Sequence, residues 1–146
     1  MAKIFCVANQ KGGVGKTTTS VNLAAGLAKL DQRVLLVDLD PQGNATMGAG
    51  INKAGLKSSI YEVLLGESDV NTARMRSEAG RFDVLPSNRE LAGAEVEMVQ
   101  LDQRERRLKD ALAVVDGEYD FILIDCPPAL SMLTLNGLCA AHGVII

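Results

Sequence analysis

The chain has 146 residues, of which 47% are apolar and 23% are charged, and its net charge is −3. This composition is typical of a soluble globular protein of about one domain, and it excludes a disordered tail, a collagen-like fibre and a disulfide scaffold. The negative balance excludes attraction to DNA or to an anionic membrane through bulk charge. The sequence shows no signal peptide and no apolar membrane span, so we expect one cytoplasmic domain over residues 1–146.

Strand-like and helix-like segments alternate along the chain. The predicted strands are 3–8, 33–40, 82–85, 119–124 and 143–146, and the predicted helices cover 17–30, 59–66, 91–101 and 108–115, with a bend near residue 102 and a loop over 41–58. Two Ser-x-x-Glu patterns, Ser59–Glu62 and Ser87–Glu90, predict capping boxes at helix starts. The near-continuous apolar strands predict an α/β fold, with a mostly parallel sheet and helices on both faces.

The sequence ends inside an apolar run, at Val144–Ile146. Since a buried strand is rarely left unfinished, we expect this chain to be the N-terminal part of a longer protein, with the fold truncated on its C-terminal side.

A glycine-rich segment, KGGVGKTT, follows the first predicted strand and opens the first predicted helix. Glycines allow the backbone to wrap closely around phosphate oxygens, and the N–H groups at the helix start favour anions. Lys16 would reach the β and γ phosphates, and the Thr17 hydroxyl would ligate Mg²⁺. The segment therefore predicts a P-loop. Its nucleotide-binding residues would be Lys11, Gly12, Gly13, Val14, Gly15, Lys16, Thr17 and Thr18.

Three aspartates stand at predicted strand ends. Asp38 and Asp40 end the second strand, and Asp125 follows the fourth. A single aspartate at such a place is often only a cap or a turn former. Beside a P-loop, however, all three would meet at the C-terminal edge of a parallel sheet, where such folds bind ligands. Asp125 would hold Mg²⁺ there, directly or through water.

Three segments resemble the ParA/MinD ATPases, a P-loop family with a deviant Walker A motif. They are KGGVGKTTT at 11–19, DLDPQGNAT at 38–46 and FILIDCPPALSMLTLNGL at 121–138, and the last two are closest to the ParA (Soj-like) branch. The resemblance implies that Lys11 reaches the partner's phosphates across an ATP-sandwiched homodimer. It also implies that Asp40 orients the attacking water, that Asp38 helps to hold the metal, and that Pro127 and Pro128 begin a loop that senses the γ-phosphate.

The same resemblance implies a function: a slow, partner-stimulated ATPase in chromosome or plasmid segregation, using ATP and Mg²⁺. A ParB-like protein would stimulate hydrolysis, and the nucleoid-associated dimer would bind DNA without sequence preference, mostly through residues beyond 146. No membrane partner is expected. Two alternatives stay open: a MinD-like membrane-associated ATPase of division-site placement, and a nucleotide-binding switch scaffold with negligible turnover. His142 stands where this family is expected to have an acidic residue, and a surface or capping role is favoured for it.

One dense basic run, at residues 104–109, could contact DNA phosphates. A solvated helix face with Leu108 pointing inward explains the same pattern and is favoured.

Overall fold

The computed structural model describes residues 1–8, 14–52 and 55–145, and for residues 14–17 it describes the backbone only. The strands are β1 (Lys3–Val7), β2 (Val34–Asp38), β3 (Met75–Ser77), β4 (Phe82–Leu85), β5 (Phe121–Asp125) and β6 (Gly143–Ile145). The helices are α1 (Val14–Lys29), α2 (Asn44–Gly48), α3 (Ile60–Leu64), α4 (Val70–Ala73), α5 (Leu91–Glu97), α6 (Arg107–Ala113) and α7 (Met132–Ala140). Short 3₁₀ turns lie at Met98–Gln100, Arg104–Arg106 and Asp116–Glu118.

The six strands form one sheet in the order β3-β4-β2-β5-β1-β6. All neighbouring pairs are parallel except β3 and β4, which pair antiparallel at one edge. The predicted mostly parallel α/β sheet is confirmed. The antiparallel edge strand β3 was not predicted, because three residues are too few to show a period.

The sheet separates two apolar cores. In β2, Leu35 and Val37 face the core that α3 to α7 cover, whereas Val34 and Leu36 face the core under α1 and α2. Every residue of β2 is buried, which explains why this strand reads as a continuous apolar run rather than an alternating one. The prediction of helices on both faces is therefore confirmed.

Several local predictions were wrong in detail. The expected loop at 41–58 contains the helix α2, and α4 was not predicted. Helix α1 ends at Lys29, which leaves Leu30 exposed. The predicted bend near residue 102 is present as the break between α5 and α6.

Among the described residues, no helix is both long enough and apolar enough to cross a membrane.

The two predicted capping boxes have opposite outcomes. Ser59 and Glu62 form the complete reciprocal box at the start of α3. At α5, in contrast, the N-cap position is Glu90, whose side chain makes no capping hydrogen bond. The second capping box was therefore wrong, and its serine is engaged elsewhere, as described below.

Candidate nucleotide-binding site

Three strand ends meet at one edge of the sheet. In the strand registers, Asp125 of β5 lies opposite Val7 of β1 on one side and opposite Asp38 of β2 on the other. The ladder continues beyond the strands, because Leu39 N–H donates to the Asp125 carbonyl over 2.9 Å. The structure thus brings the end of β1 and two of the predicted aspartates together at the C-terminal edge.

The predicted P-loop lies directly after β1. Lys11, Gly12 and Gly13 lie outside the described residues, and Val14 to Thr17 form the first turn of α1, described by its backbone. The side chain of Thr18 is exposed. The order of strand, glycine-rich segment and helix that a P-loop requires is present.

Asp125 is joined to the P-loop helix. Its carboxylate is buried, and the Ser20 hydroxyl of α1 donates to Oδ1 over 3.0 Å. This contact places the carboxylate beside the helix that carries Thr17. Hard oxygen ligands of this kind suit Mg²⁺, which commonly takes one or two carboxylates together with substrate phosphates. Within the described part of the chain, no group of three or more His, Cys, Asp or Glu residues could hold a metal by itself.

Both oxygens of the buried Asp38 carboxylate accept hydrogen bonds. Oδ1 accepts from the Asp40 N–H over 3.0 Å, and Oδ2 accepts from the Thr46 N–H over 2.9 Å and from the Thr46 hydroxyl over 2.7 Å. Burial raises the pKa of Asp38 to about 6, against the lowering effect of the Thr46 hydrogen bonds. These contacts give Asp38 a structural role in the loop after β2, and its predicted role in the metal site stays a prediction.

Asp40 lies two residues beyond the end of β2 and is 8% exposed. Its Oδ1 accepts from the Gln42 N–H over 3.0 Å. Its carbonyl accepts from the Ser87 hydroxyl over 2.7 Å and from the Gly43 N–H over 2.9 Å. Residues that follow β2 and β4 in the chain line a cleft of about 1030 Å³, beginning with Pro41, the neighbour of Asp40. The lining residues are Pro41, Gln42, Asn44, Met47, Leu56, Asn88, Arg89, Glu90 and Ala92.

The loop after Asp125 is positioned by helices behind the site. The Glu95 carboxylate of α5 accepts from the N–H groups of Met132 and Leu133, at 2.9 and 3.0 Å, and so caps α7 from another helix. A Cβ on Gly137 would lie 2.7 Å from the Cys126 sulfur, so α7 can cross this close to β5 only with glycine there. Sequence reasoning missed Thr46, Ser87 and Glu95. Only Ser87 carried a signal, and that signal pointed to a helix cap.

The basic run at residues 104–109 is largely occupied within the protein. Arg104 donates to the Val99 carbonyl, and Arg107 donates to the Leu64 carbonyl over 2.8 Å. Arg106 pairs with Asp110, and Leu108 is buried. These contacts favour the structural interpretation of the run over a DNA contact.

His142 closes the start of the β1–β6 pairing. Its backbone N–H donates to the Ile4 carbonyl over 2.7 Å, and its Nδ1 accepts from the Ile4 N–H over 3.2 Å. These two bonds give this exposed side chain a role of the surface or capping kind that the sequence favoured.

The fold and the site define a P-loop α/β protein. Residues 2–146 match the family model described as an AAA domain, and the chain belongs to that family. It is 53% identical over 146 residues to the sporulation initiation inhibitor protein Soj of Bacillus subtilis, covering 100% of this chain and 58% of that protein. It is 51% identical to the chromosome partitioning protein ParA of Myxococcus xanthus, covering 100% of this chain and 52% of that protein.

A solved structure has the same fold. Cobyrinic acid a,c-diamide synthase from Mycobacterium smegmatis, with a bound ATP analog and magnesium, superposes with a TM-score of 0.95 at 49% identity. The match covers 99% of this chain and 59% of that one. The resemblance to the ParA/Soj ATPases that the three motifs predicted is confirmed, and the chain spans little more than half the length of these relatives.

Proposed function

We propose that this chain is the nucleotide-hydrolysing part of a ParA-type DNA-segregation ATPase. The observation that carries the proposal is the single sheet edge at which β1 leads into α1 beside Asp125, with Asp40 on the next loop. The relatives named Soj and ParA support the biological setting.

In the proposed mechanism, the N–H groups of the P-loop and Lys16 bind the phosphates. Thr17 and Asp125 would hold Mg²⁺, which supplies charge neutralisation on the phosphate oxygens. Asp40 orients a water for in-line attack on the γ-phosphorus, and the bond to the bridging oxygen breaks to release ADP. Lys11 from a second copy would neutralise charge in trans, and a ParB-like partner and DNA would regulate the cycle.

Two variants test this assignment. Lys16→Ala should abolish ATP binding, because the phosphates lose their principal cation. Asp40→Ala should retain binding but lower turnover by about 10²-fold or more, as expected for a group that acts only in the transition state. Light scattering with and without ATP and Mg²⁺ should show an ATP-dependent dimer that needs Lys16. Unchanged turnover in Asp40→Ala would contradict the assignment of Asp40.

The diamide synthase structure favours a second candidate, the ATP-dependent conversion of carboxylic acids to amides. The two functions differ in their need for an acceptor. Phosphate release from ATP without any carboxylate substrate would favour the hydrolase, whereas release that requires both an acid and an amine donor would favour the synthase.

A further inference from the structure

We propose that Ser87 is a positioning residue for Asp40, and that it acts with Asp38 and Thr46 as one buried hydrogen-bonded frame. These three residues are called the Asp40 frame below. The proposal rests on the proposed function, since it assumes that Asp40 orients the attacking water.

The position of Asp40 in the chain creates a need for such a frame. The strand β2 ends at Asp38, and the ladder to β5 continues for one more residue through the Leu39 N–H. Asp40 lies one residue further on, and its N–H bonds to a side chain, Oδ1 of Asp38, at 3.0 Å. Side chains therefore do at Asp40 what the neighbouring strand does at Leu39.

The frame holds Asp40 from both sides. Asp38 accepts from its N–H, and the Ser87 hydroxyl donates to its carbonyl over 2.7 Å. Thr46 closes the ring, because its hydroxyl donates to Asp38 Oδ2 and accepts from the Ser87 N–H over 3.0 Å. With both main-chain polar groups fixed, the direction in which the Asp40 side chain leaves the backbone is also fixed.

Three separate chain segments contribute to the frame. Asp38 ends β2, Thr46 lies in α2, and Ser87 follows β4, and all three side chains are fully buried. Pro41 and Asn88 line the cleft, and they are the chain neighbours of Asp40 and Ser87. The Asp40 frame therefore lies directly behind the wall of the cleft. A serine that bonds to a neighbouring loop, in place of its own helix, is well placed to hold that loop.

The kinetic test compares two serines that are both buried and both lose a hydroxyl. We would measure ATP turnover and ATP affinity for wild type, Ser87→Ala, Ser87→Thr and the matched control Ser59→Ala. Ser87→Ala should lower turnover about ten-fold with affinity within about two-fold, because a misplaced Asp40 affects the reaction more than binding. Ser87→Thr should restore most of the rate, and Ser59→Ala should retain it.

A double-mutant cycle decides whether Ser87 acts through Asp40. In an Asp40→Ala background, Ser87→Ala should cause no further loss of turnover. An equal fold-loss in both backgrounds, or no loss from Ser87→Ala alone, would overturn the proposal.

Amide hydrogen exchange provides a readout that does not depend on hydrolysis. Exchange in the segment 39–46 should be faster in Ser87→Ala and unchanged in Ser59→Ala. If wild type binds ATP without hydrolysing it, the proposed function fails, and the exchange data still show whether Ser87 holds the loop. Unchanged exchange in Ser87→Ala would overturn the frame itself.

Discussion

The same four-residue pattern, Ser-x-x-Glu, occurs twice in this chain and forms two different structures. At α3, the Ser59 hydroxyl accepts from the Tyr61 N–H, and the Ser59 N–H donates to Glu62 over 3.0 Å. Before α5, Ser87 instead donates to Asp40 and Thr46, and the Glu90 N–H is satisfied by Asn88 Oδ1 over 3.0 Å. In this chain the same local pattern therefore gives a helix cap at one site and a contact between two loops at the other.

The difference between the two serines comes from what lies next to them in space. Ser87 directly follows Pro86 at the end of β4, which pairs with β2 and so brings it to Asp40 and Thr46. Within the part of the chain that the structure describes, the side-chain bonds of Ser59 stay within the first turn of α3. Three predictions test how much the Asp40 frame stabilises the protein and how little the Ser87–Glu90 pattern contributes as a helix cap.

The largest effect is expected at Asp38, whose carboxylate bonds to Asp40 and Thr46 in the Asp40 frame. Burial raises the pKa of Asp38 from 3.8 to about 6, so the native state binds more protons than the unfolded state between about pH 4 and pH 6. This group therefore stabilises the protein most at low pH, and about 3 kcal/mol is lost as the pH rises through the window. Asp38→Asn does not titrate, so the difference in free energy of unfolding between the variant and wild type should shift by that amount in favour of the variant from about pH 4 to pH 7. The amide of Asn also faces an N–H donor, but this cost is the same at every pH and does not affect the shift.

Urea unfolding of both proteins across about pH 4 to pH 7 measures this difference. Asp69 and Asp120, whose pKa values are lowered by hydrogen bonds, titrate alike in both proteins and cancel. Parallel stability curves for wild type and Asp38→Asn would show that burial does not perturb Asp38.

A smaller effect is expected at Thr46, which joins Asp38 to Ser87. Thr46→Val removes a hydroxyl that donates to a buried carboxylate and accepts from a buried N–H, so it should lower the free energy of unfolding by about 2 kcal/mol near neutral pH. Thr46→Ser keeps the hydroxyl and should recover most of this stability. A Thr46→Val variant as stable as wild type would contradict the hydrogen bonds of the Asp40 frame.

The smallest effects are expected at the two Ser-x-x-Glu patterns, of which only Ser59–Glu62 forms a capping box. Ser59→Ala should lower the free energy of unfolding by about 1 kcal/mol, the usual cost of losing an N-cap. Glu90→Ala should change it by less than about 0.5 kcal/mol, because this exposed side chain caps nothing. Thermal or urea unfolding measures both, and comparable losses in the two variants would break the contrast between the two patterns.

Elements with a continuous apolar run or a helical spacing of apolar residues could be predicted from the sequence. The continuous apolar runs of β2 and β5 and the spacing in α1 predicted a parallel sheet covered on both faces, and the glycines before Lys16 predicted a P-loop. The positions of Asp38, Asp40 and Asp125 at strand ends also predicted that they share one edge, because parallel strands in register end together. Each of these inferences depends on neighbours in sequence or on the regular geometry of a strand.

Only the tertiary structure decided what the aspartates bond to. The sequence predicted a loop at 41–58, whereas Thr46 lies in the helix α2. Its N–H and its hydroxyl both donate to Asp38, eight residues earlier. The sequence likewise predicted that Ser87 caps α5, whereas the pairing of β2 with β4 brings Ser87 into one buried frame with Asp38 and Thr46. The physical reason is that a buried carboxylate or carbonyl must find donors wherever the fold supplies them, and one of these donors, the Ser87 hydroxyl, lies far from Asp40 in sequence.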